Sequence, residues 1–377
     1  MERRSFLKAS AALPLVAFAP LNWANSTNQL STNTLIMVQL GGGNDGLNTF
    51  IPITEEAYFN ARPNIAISKD VALDLSAQLA MHPAMSSLLP AWQQGDMAIV
   101  HGLGYTQPNR SHFRSIEIWQ TASEADEYLS AGWLSEVVQQ SEEPLAAITV
   151  SGSPMATFGA GNQFNLAGQT NLDQFSPVYV PNGSSDNELL NFIIGNRQQF
   201  NNSVEQLSSL LEQQVEFAVE FPNSEFGQQC FTLAKLMALG FVPPVWHLGL
   251  GSFDTHSNQI TSHQNLLDDM ATSLAALREA LIEVGQWQRT CIASYCEFGR
   301  RVAENASLGT DHGTAASHFV LGGNVSGGEF GEMPSLIDLD NGDLKYTTDF
   351  RDYYKSLLSL SDFNVPASLA AFEYLGF

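Results

Sequence analysis

Basic side chains are scarce in this sequence. Sixteen Lys and Arg stand against 39 Asp and Glu, leaving a formal net charge of -23. So acidic a chain is repelled by phosphodiester backbones and anionic lipid, which argues against nucleic acid and acidic membrane surfaces as partners. Part of that charge serves solubility, and part is available to bind cations. Cysteine is rarer still: Cys230, Cys291 and Cys296 are too few for a disulfide scaffold, and their odd number leaves at least one thiol free. Cys291 and Cys296 share one strand-like run at an odd separation, which points them to opposite faces and argues against a bridge between them. Long Gly/Ser or Pro linkers are absent, so residues 25–377, with 44% hydrophobic and 10% aromatic content over the chain, are expected to form one large domain.

The apolar run from Ala9 to Leu21 is too short to span a bilayer as a helix. It follows Glu2-Arg3-Arg4-Ser5-Phe6-Leu7-Lys8 and leads into a polar Asn/Ser/Thr-rich stretch, the pattern of a twin-arginine export signal over residues 1–24. Cleavage is expected after Ala24. Asn22 is a poor residue before that cut, and the small pair Ala17 and Ala19 is followed by Pro20, so a retained N-terminal anchor is the alternative. The expected location is periplasmic or extracellular, with the twin-arginine translocase as partner during export. That route carries folded proteins, which suits a metal or cofactor loaded inside the cell.

Short apolar runs that end in polar or glycine-rich loops alternate with helical patterns. The runs are 35–40, 97–104, 146–150, 245–250, 291–295 and 319–321. Such alternation predicts a three-layer αβα sandwich around a mainly parallel sheet. Long helices are expected over about 186–220, 226–239 and 261–286, the last with Leu266, Leu267, Met270, Leu274, Leu277 and Leu281 as a stripe at helical spacing. The stretch around 123–225 breaks the alternation and reads as a helical insertion over the sheet.

In an open parallel sheet, ligands bind beyond the carboxyl ends of the strands. Asp45 follows the first run, Ser111 and His112 the second, Asp254 and His256 the fourth and Glu297 the fifth, while Asp311-His312 lies in a loop ahead of the last. Loops remote in sequence are thus expected to converge. His256, His263, His312 and His318 accompany the two late aspartate clusters. Mixed Asp/His ligands suit zinc, manganese or magnesium, one or two ions, and ions held between loops orient phosphate-like groups. Gly41, Gly42 and Gly43 lack the Gly-x-Gly-x-x-Gly spacing of a strand-to-helix dinucleotide motif.

The strings Gly42-Gly43-Asn44-Asp45-Gly46-Leu47-Asn48, Asn109-Arg110-Ser111-His112-Phe113-Arg114-Ser115, Phe253-Asp254-Thr255-His256, Glu297-Phe298-Gly299-Arg300-Arg301 and Gly309-Thr310-Asp311-His312-Gly313 resemble domain-of-unknown-function family 1501. Its members carry twin-arginine signals and belong to the alkaline phosphatase and sulfatase superfamily. The resemblance covers essentially the whole mature chain and implies an alkaline-phosphatase-like fold with a two-metal phospho- or sulfo-transfer site. By that likeness Asp45, Asp311 and His312 hold one ion, and Asp254 with His256 or His263 holds a second, completed by His318. Superfamily enzymes often space Asp and His one helical turn apart, whereas Asp254 has Asn258 there. His256 and His263 therefore stay alternatives, and a single-ion or degenerate site stays open.

The same likeness calls for a nucleophile at a helix N-terminus, where backbone N–H groups favour an oxyanion. Ser111, beside His112, opens the helix after the second run, a position where Ser also serves as an N-cap. Thr106 is the rival, because Thr106-Gln107-Pro108-Asn109-Arg110 resembles the Thr-x-Pro and Cys-x-Pro-x-Arg nucleophile loops of other superfamily branches. No Cys here precedes x-Pro-x-Arg, so the formylglycine of true sulfatases cannot form, and phosphate esters are preferred to sulfate esters. Substrate contacts are assigned to Asn44, Arg110, Arg114 and Glu297, since guanidinium forks bind phosphate bidentately. Asn44 reads equally as a turn residue, Glu297 as the cap of a helix beginning at Phe298, and Arg300 and Arg301 as ion-pair partners. The expectation is an exported metal-dependent hydrolase of small-molecule or polymer-borne phosphate esters, less readily sulfate esters. The alternative is an exported binding protein that keeps the fold without turnover.

Overall fold

The strand runs are apolar on both faces, and the fold buries both. The computed structural model describes residues 33–141, 143, 145–151, 163–165 and 187–377; the expected export signal lies outside them. In β1 (Thr34–Leu40), Ile36, Val38 and Leu40 enter one core while Leu35 and Met37 enter another. β2 (Met97–Gly104) divides in the same way, with Met97 and Ile99 against Ala98 and Val100. Continuous apolar runs of this kind belong to sheets covered on both sides.

The remaining strands of the main sheet are β3 (Ala147–Thr149), β4 (Gln163–Asn165), β5 (Val245–Leu250), β6 (Thr290–Tyr295), β7 (Ala316–Gly322), β8 (Gly328–Phe330) and β9 (Thr348–Asp349). Their spatial order is β8-β2-β7-β6-β1-β5-β3-β4, and β9 also pairs with β2. β1 sits centrally, parallel to β5 through Leu35↔Val245 and to β6 through Leu35↔Cys291. The two pairings of β7 are antiparallel, and those made by the other described strands of this sheet are parallel. The mainly parallel sheet expected from the alternation is present, with the last apolar run as its reversed member.

Five helices matter for the layers: α1 (His112–Thr121), α2 (Glu188–Glu212), α3 (Glu225–Ala238), α4 (Gln259–Glu283) and α5 (Phe350–Leu360). α3 and α4 close one face, where Leu233, Met270, Leu274, Leu277 and Leu281 join Ile36 and Val38. α1 and α5 close the other, where Ile118, Trp119, Tyr353, Tyr354 and Leu357 join Leu35 and Met37. The stripe expected on α4 is buried, apart from Leu266 at its edge.

α2 stops at Glu212, short of the expected end near 220. The reason is a change of period. Val215, Phe217, Val219 and Phe221 alternate with more exposed residues, a spacing of two that favours extended chain, and Pro222 follows. The stretch 123–225 supplies a short helix (Ser135–Gln139), α2, and the strands β3 and β4, of which β4 is the edge; residues 142, 144, 152–162 and 166–186 of it lie outside the described residues. Cys230, Cys291 and Cys296 are buried free thiols. No helix of the described residues is long and apolar enough to cross a membrane.

Burial has an acid consequence. Desolvation lowers the pKa of His82 from 6.5 to about 4 and those of His247, His263 and His318 to about 3. The unfolded chain takes up these protons near the ordinary histidine value and the folded chain does not. Their contribution to stability is therefore complete above about pH 6.5 and declines as the pH falls toward about 3. Urea unfolding is expected to show a weaker fold at pH 4.5 than at pH 7. His247→Gln, which cannot charge, should shrink that difference by on the order of 1–2 kcal/mol. An unchanged difference in the variant would contradict this account.

Candidate metal centre

The loop after β1 passes so close to its neighbours that two positions require glycine. Gly42 has φ +112, and a Cβ there would lie 2.5 Å from the Asp254 backbone nitrogen. Gly43 has φ +79, and its Cβ would lie 2.6 Å from the Phe298 ring. L-residues rarely adopt such angles, so this pair brings the loops after β1, β5 and β6 together. Arg300 binds the assembly. Its Nε donates to the Gly43 carbonyl (2.8 Å), Nη1 to Thr310 O (3.0 Å), and Nη2 to Phe253 O (3.1 Å), to Asp254 Oδ1 (2.6 Å) and to the Gly42 carbonyl.

Around Asp254 three imidazoles converge. His312 Nε2 lies 3.1 Å and His256 Nε2 3.0 Å from Asp254 Oδ1, and His112 Nε2 lies 3.4 Å from Oδ2. The Nε2 atoms of His256 and His312 are 3.0 Å apart. Among the described residues, ligand atoms of His112, Asp254 and His312 all come within 4.8 Å of one another. Each ring is anchored through its other nitrogen to an oxygen that can only accept. His112 Nδ1 meets Glu297 Oε1 at 2.7 Å, His312 Nδ1 the Arg110 carbonyl at 2.8 Å, and His256 Nδ1 Asp311 Oδ1 at 3.2 Å.

These anchors place a proton on each Nδ1 and turn each Nε2 lone pair toward the carboxylate. Lone pairs opposed to one another and to an anion are stable only with positive charge between them, either a proton or a metal ion. Partial burial pushes the Asp254 carboxyl upward, but the hydrogen bond and positive charge of Arg300 outweigh it and hold the carboxyl below its ordinary pKa. Three imidazole nitrogens with one carboxylate, and outer partners fixing each ring, are a donor set that fits a divalent transition-type ion.

Several residues named from the sequence stand elsewhere. Asp45 is buried, caps the short helix Gly46–Thr49, and accepts from Arg62 Nη1 at 2.7 Å and from Gln259. Burial raises its pKa, but Arg62 overrides this and keeps it below the ordinary value. The structure thus does not gather Asp45 with Asp311 and His312. Asn44 is buried and bonded to Thr49 and His263, away from solvent. His263 points to Asn44, and His318 is buried between Ser294 and Cys296; neither joins the cluster. Asp311 holds the far side of His256.

Ser111 is the exposed N-cap residue of α1, and its side chain makes no capping bond. Thr106 Oγ1 is 2.8 Å from the Tyr346 hydroxyl. Arg110 pairs with Asp343 at 2.9 Å while its carbonyl orients His312. Arg114 donates to the carbonyls of Glu124, Ala125 and Glu127 and stacks over Tyr128 at 3.9 Å. Glu297 begins no helix, since 296–299 are irregular and a Cβ at Gly299 would meet the Ala315 carbonyl. Its Oε1 accepts from Gly42 N (2.9 Å) and holds His112, while Oε2 is buried without a hydrogen-bond partner.

Sequence reasoning missed Arg62, Gln259 and Phe298. Phe298 packs its ring 4.9 Å from His112 and 4.5 Å from His312. Arg62 and Gln259 carried no motif signal. Their one hint is that a chain poor in cations has an arginine shortly after the Asn-Asp turn.

Fold and site together define an α/β protein with an Asp/His cluster at the carboxyl ends of its parallel strands. The family model described as "Protein of unknown function (DUF1501)" matches residues 196–360. That stretch includes Asp254, His256, Glu297, Arg300, Asp311 and His312, whereas the β1 loop and His112 precede it. A comparison with curated proteins finds no match. Among solved structures, Ps i-CgsB in complex with k-i-k-neocarrahexaose is similar at 10% identity and a TM-score of 0.45, covering 91% of this chain and 75% of that one. The PsFucS1 sulfatase from Pseudoalteromonas sp. follows at 10% identity and 0.40, covering 87% and 67%. A protein in the alkaline phosphatase superfamily from Vibrio parahaemolyticus has 10% identity and 0.39, covering 89% and 68%.

Gly42→Ala tests the loop junction. The substitution is expected to cost on the order of 2–4 kcal/mol, measured by denaturant unfolding, because both the backbone angle and the Asp254 backbone forbid a methyl group. A change below about 0.5 kcal/mol, the range of an unremarkable surface site, would show that the junction is loose.

Proposed function

We propose that this chain binds one divalent ion, zinc or manganese, through His112, Asp254 and His312 with His256 beside them, and hydrolyses phosphate esters there. The observation that carries the reading is the convergence of three Nδ1-anchored imidazoles on one carboxylate. When bound, the ion supplies positive charge to the anionic ester as a Lewis acid. Glu297, the Arg110 carbonyl and Asp311 keep the three rings in one tautomer, and Arg300 keeps Asp254 ionised. Ser111, exposed at the start of α1 and adjacent in sequence to His112, is the proposed nucleophile, with Thr106 as its rival. Arg110 is the proposed contact to the phosphate. The Arg3-Arg4 segment supports export to the periplasm or beyond. Sulfate esters are less favoured, because the sequence lacks a Cys-x-Pro-x-Arg string.

Asp45 favours a second reading, a metal-dependent binding protein without turnover. With its carboxylate engaged by Arg62 and Gln259, the described residues offer one ligand cluster where the two-ion scheme needs two.

Metal analysis of chelator-free protein is expected to find about one ion per chain, and Asp254→Asn or His312→Ala to weaken zinc binding by roughly 10- to 100-fold. Folded protein that takes up no divalent metal would overturn both readings. With an aryl phosphate, Ser111→Ala should remove most turnover. Its stability should shift by less than about 0.5 kcal/mol, because no capping bond is lost. Loss of activity in Thr106→Val instead would move the nucleophile, and metal-loaded parent without turnover leaves the binding protein as the better reading.

A further inference from the structure

The loops that carry the histidine cluster also enclose a cavity of about 320 Å³. Tyr105, Pro108, Phe298, Leu344 and Tyr346 give it carbon walls, and Thr106, bonded to the Tyr346 hydroxyl, is one of the polar residues on its lining. Phe298 is common to cavity and cluster: it lines the first and packs against His112 and His312 of the second. Asn109 links them again, since it lines the cavity and the next residue's carbonyl orients His312.

Charge distinguishes the two spaces. Lys345, a cation on the cavity lining, is bonded to Asp338, and Asp340 adds a carboxylate to the same lining. An anionic group is therefore unwelcome in the cavity, whereas the exposed Arg110, paired with Asp343, follows Asn109 in the loop that leads to His112. The volume lies at the small end of the roughly 300–1,000 Å³ of ligand pockets, enough for one ring and too little for a polymer segment. Aromatic walls favour a flat or apolar ring over a heavily hydrated one.

We propose that this cavity receives the alcohol portion of the ester and that the substrate is a phosphate monoester of a single aromatic or similarly apolar ring. The proposal rests on the reading of the histidine cluster as the metal centre.

Titration calorimetry of the zinc-loaded full chain with phenylphosphonate and methylphosphonate tests it, because these inert anions differ only in the group the cavity would take. Phenylphosphonate is expected to bind roughly tenfold more tightly. Leu344→Trp, which fills the cavity, should erase that advantage while methylphosphonate binding persists. Tyr346→Ala, at a partly exposed position, should reduce it and serves if the filled variant does not fold. Equal affinity for the two phosphonates, or an advantage untouched in the folded variants, overturns the cavity assignment and leaves the metal reading standing. If the chain takes up no zinc and binds neither phosphonate, the metal reading has failed. In that case 4-nitrophenol binding that is lost in Tyr346→Ala supports the cavity, and no binding overturns it.

Discussion

One guanidinium holds the candidate centre together. Arg300 is fully buried, yet it reaches carbonyls of the loops after β1, β5 and β6 and the carboxylate of Asp254. An ammonium on a flexible stem cannot address so many acceptors in one plane, which is why this position needs arginine. Placing a cation in the interior is costly unless its donors are matched. Here they are matched by backbone oxygens that would otherwise be orphaned at the ends of parallel strands. Arg300 therefore both satisfies the loops and fixes the charge state of the carboxylate they present.

A second buried cation supports the first from below. Arg62 donates to Asp45, Asn48, Val302 O and Arg301 O, so it ties the short helix after β1 to the residues directly following Arg300. Gln259 connects Asp45 to Thr255 and Thr310. Asp45 thus acts as a keystone of the frame. A carboxylate fixed by a buried arginine and an amide is poor at following a metal's geometric demands, which accounts for its position outside the cluster. Arg278 and Arg351 are also largely buried against Asp96 and Asp349. Several of the few cations are thus interior struts, each paired with an aspartate, and the excess negative charge is carried by the rest of the chain.

The sheet was legible because its signal is local. Each apolar run is long enough to fill two faces, and helical stripes such as Met270, Leu274 and Leu277 repeat at the expected period. The convergence of loops was legible too, from strand-end logic applied to Asp254, His256 and Asp311-His312. What pairs with what inside that cluster was not. Asp45 and Asp254 look alike in sequence, each an aspartate just past a strand, and what separates them is Arg62 against Asp45 and His112 against Asp254, both distant along the chain. The reversed β7 was hidden for a related reason, since an interior strand buried on both faces looks the same whichever way it runs.

The acidic balance and the histidine cluster finally bear on each other. Asp254 stays ionised through Arg300, and the Nδ1 positions are held by Glu297, Asp311 and a carbonyl, so negative charge surrounds the imidazoles while their lone pairs face inward. Arg300 supplies positive charge to Asp254 Oδ1 at 2.6 Å, but its donors go to that oxygen and to backbone carbonyls, and none goes to an Nε2 atom. A proton satisfies only one ring at a time, whereas a divalent ion answers several lone pairs and the carboxylate together. The donor set at the Nε2 atoms is thus one that the proposed divalent cation would answer.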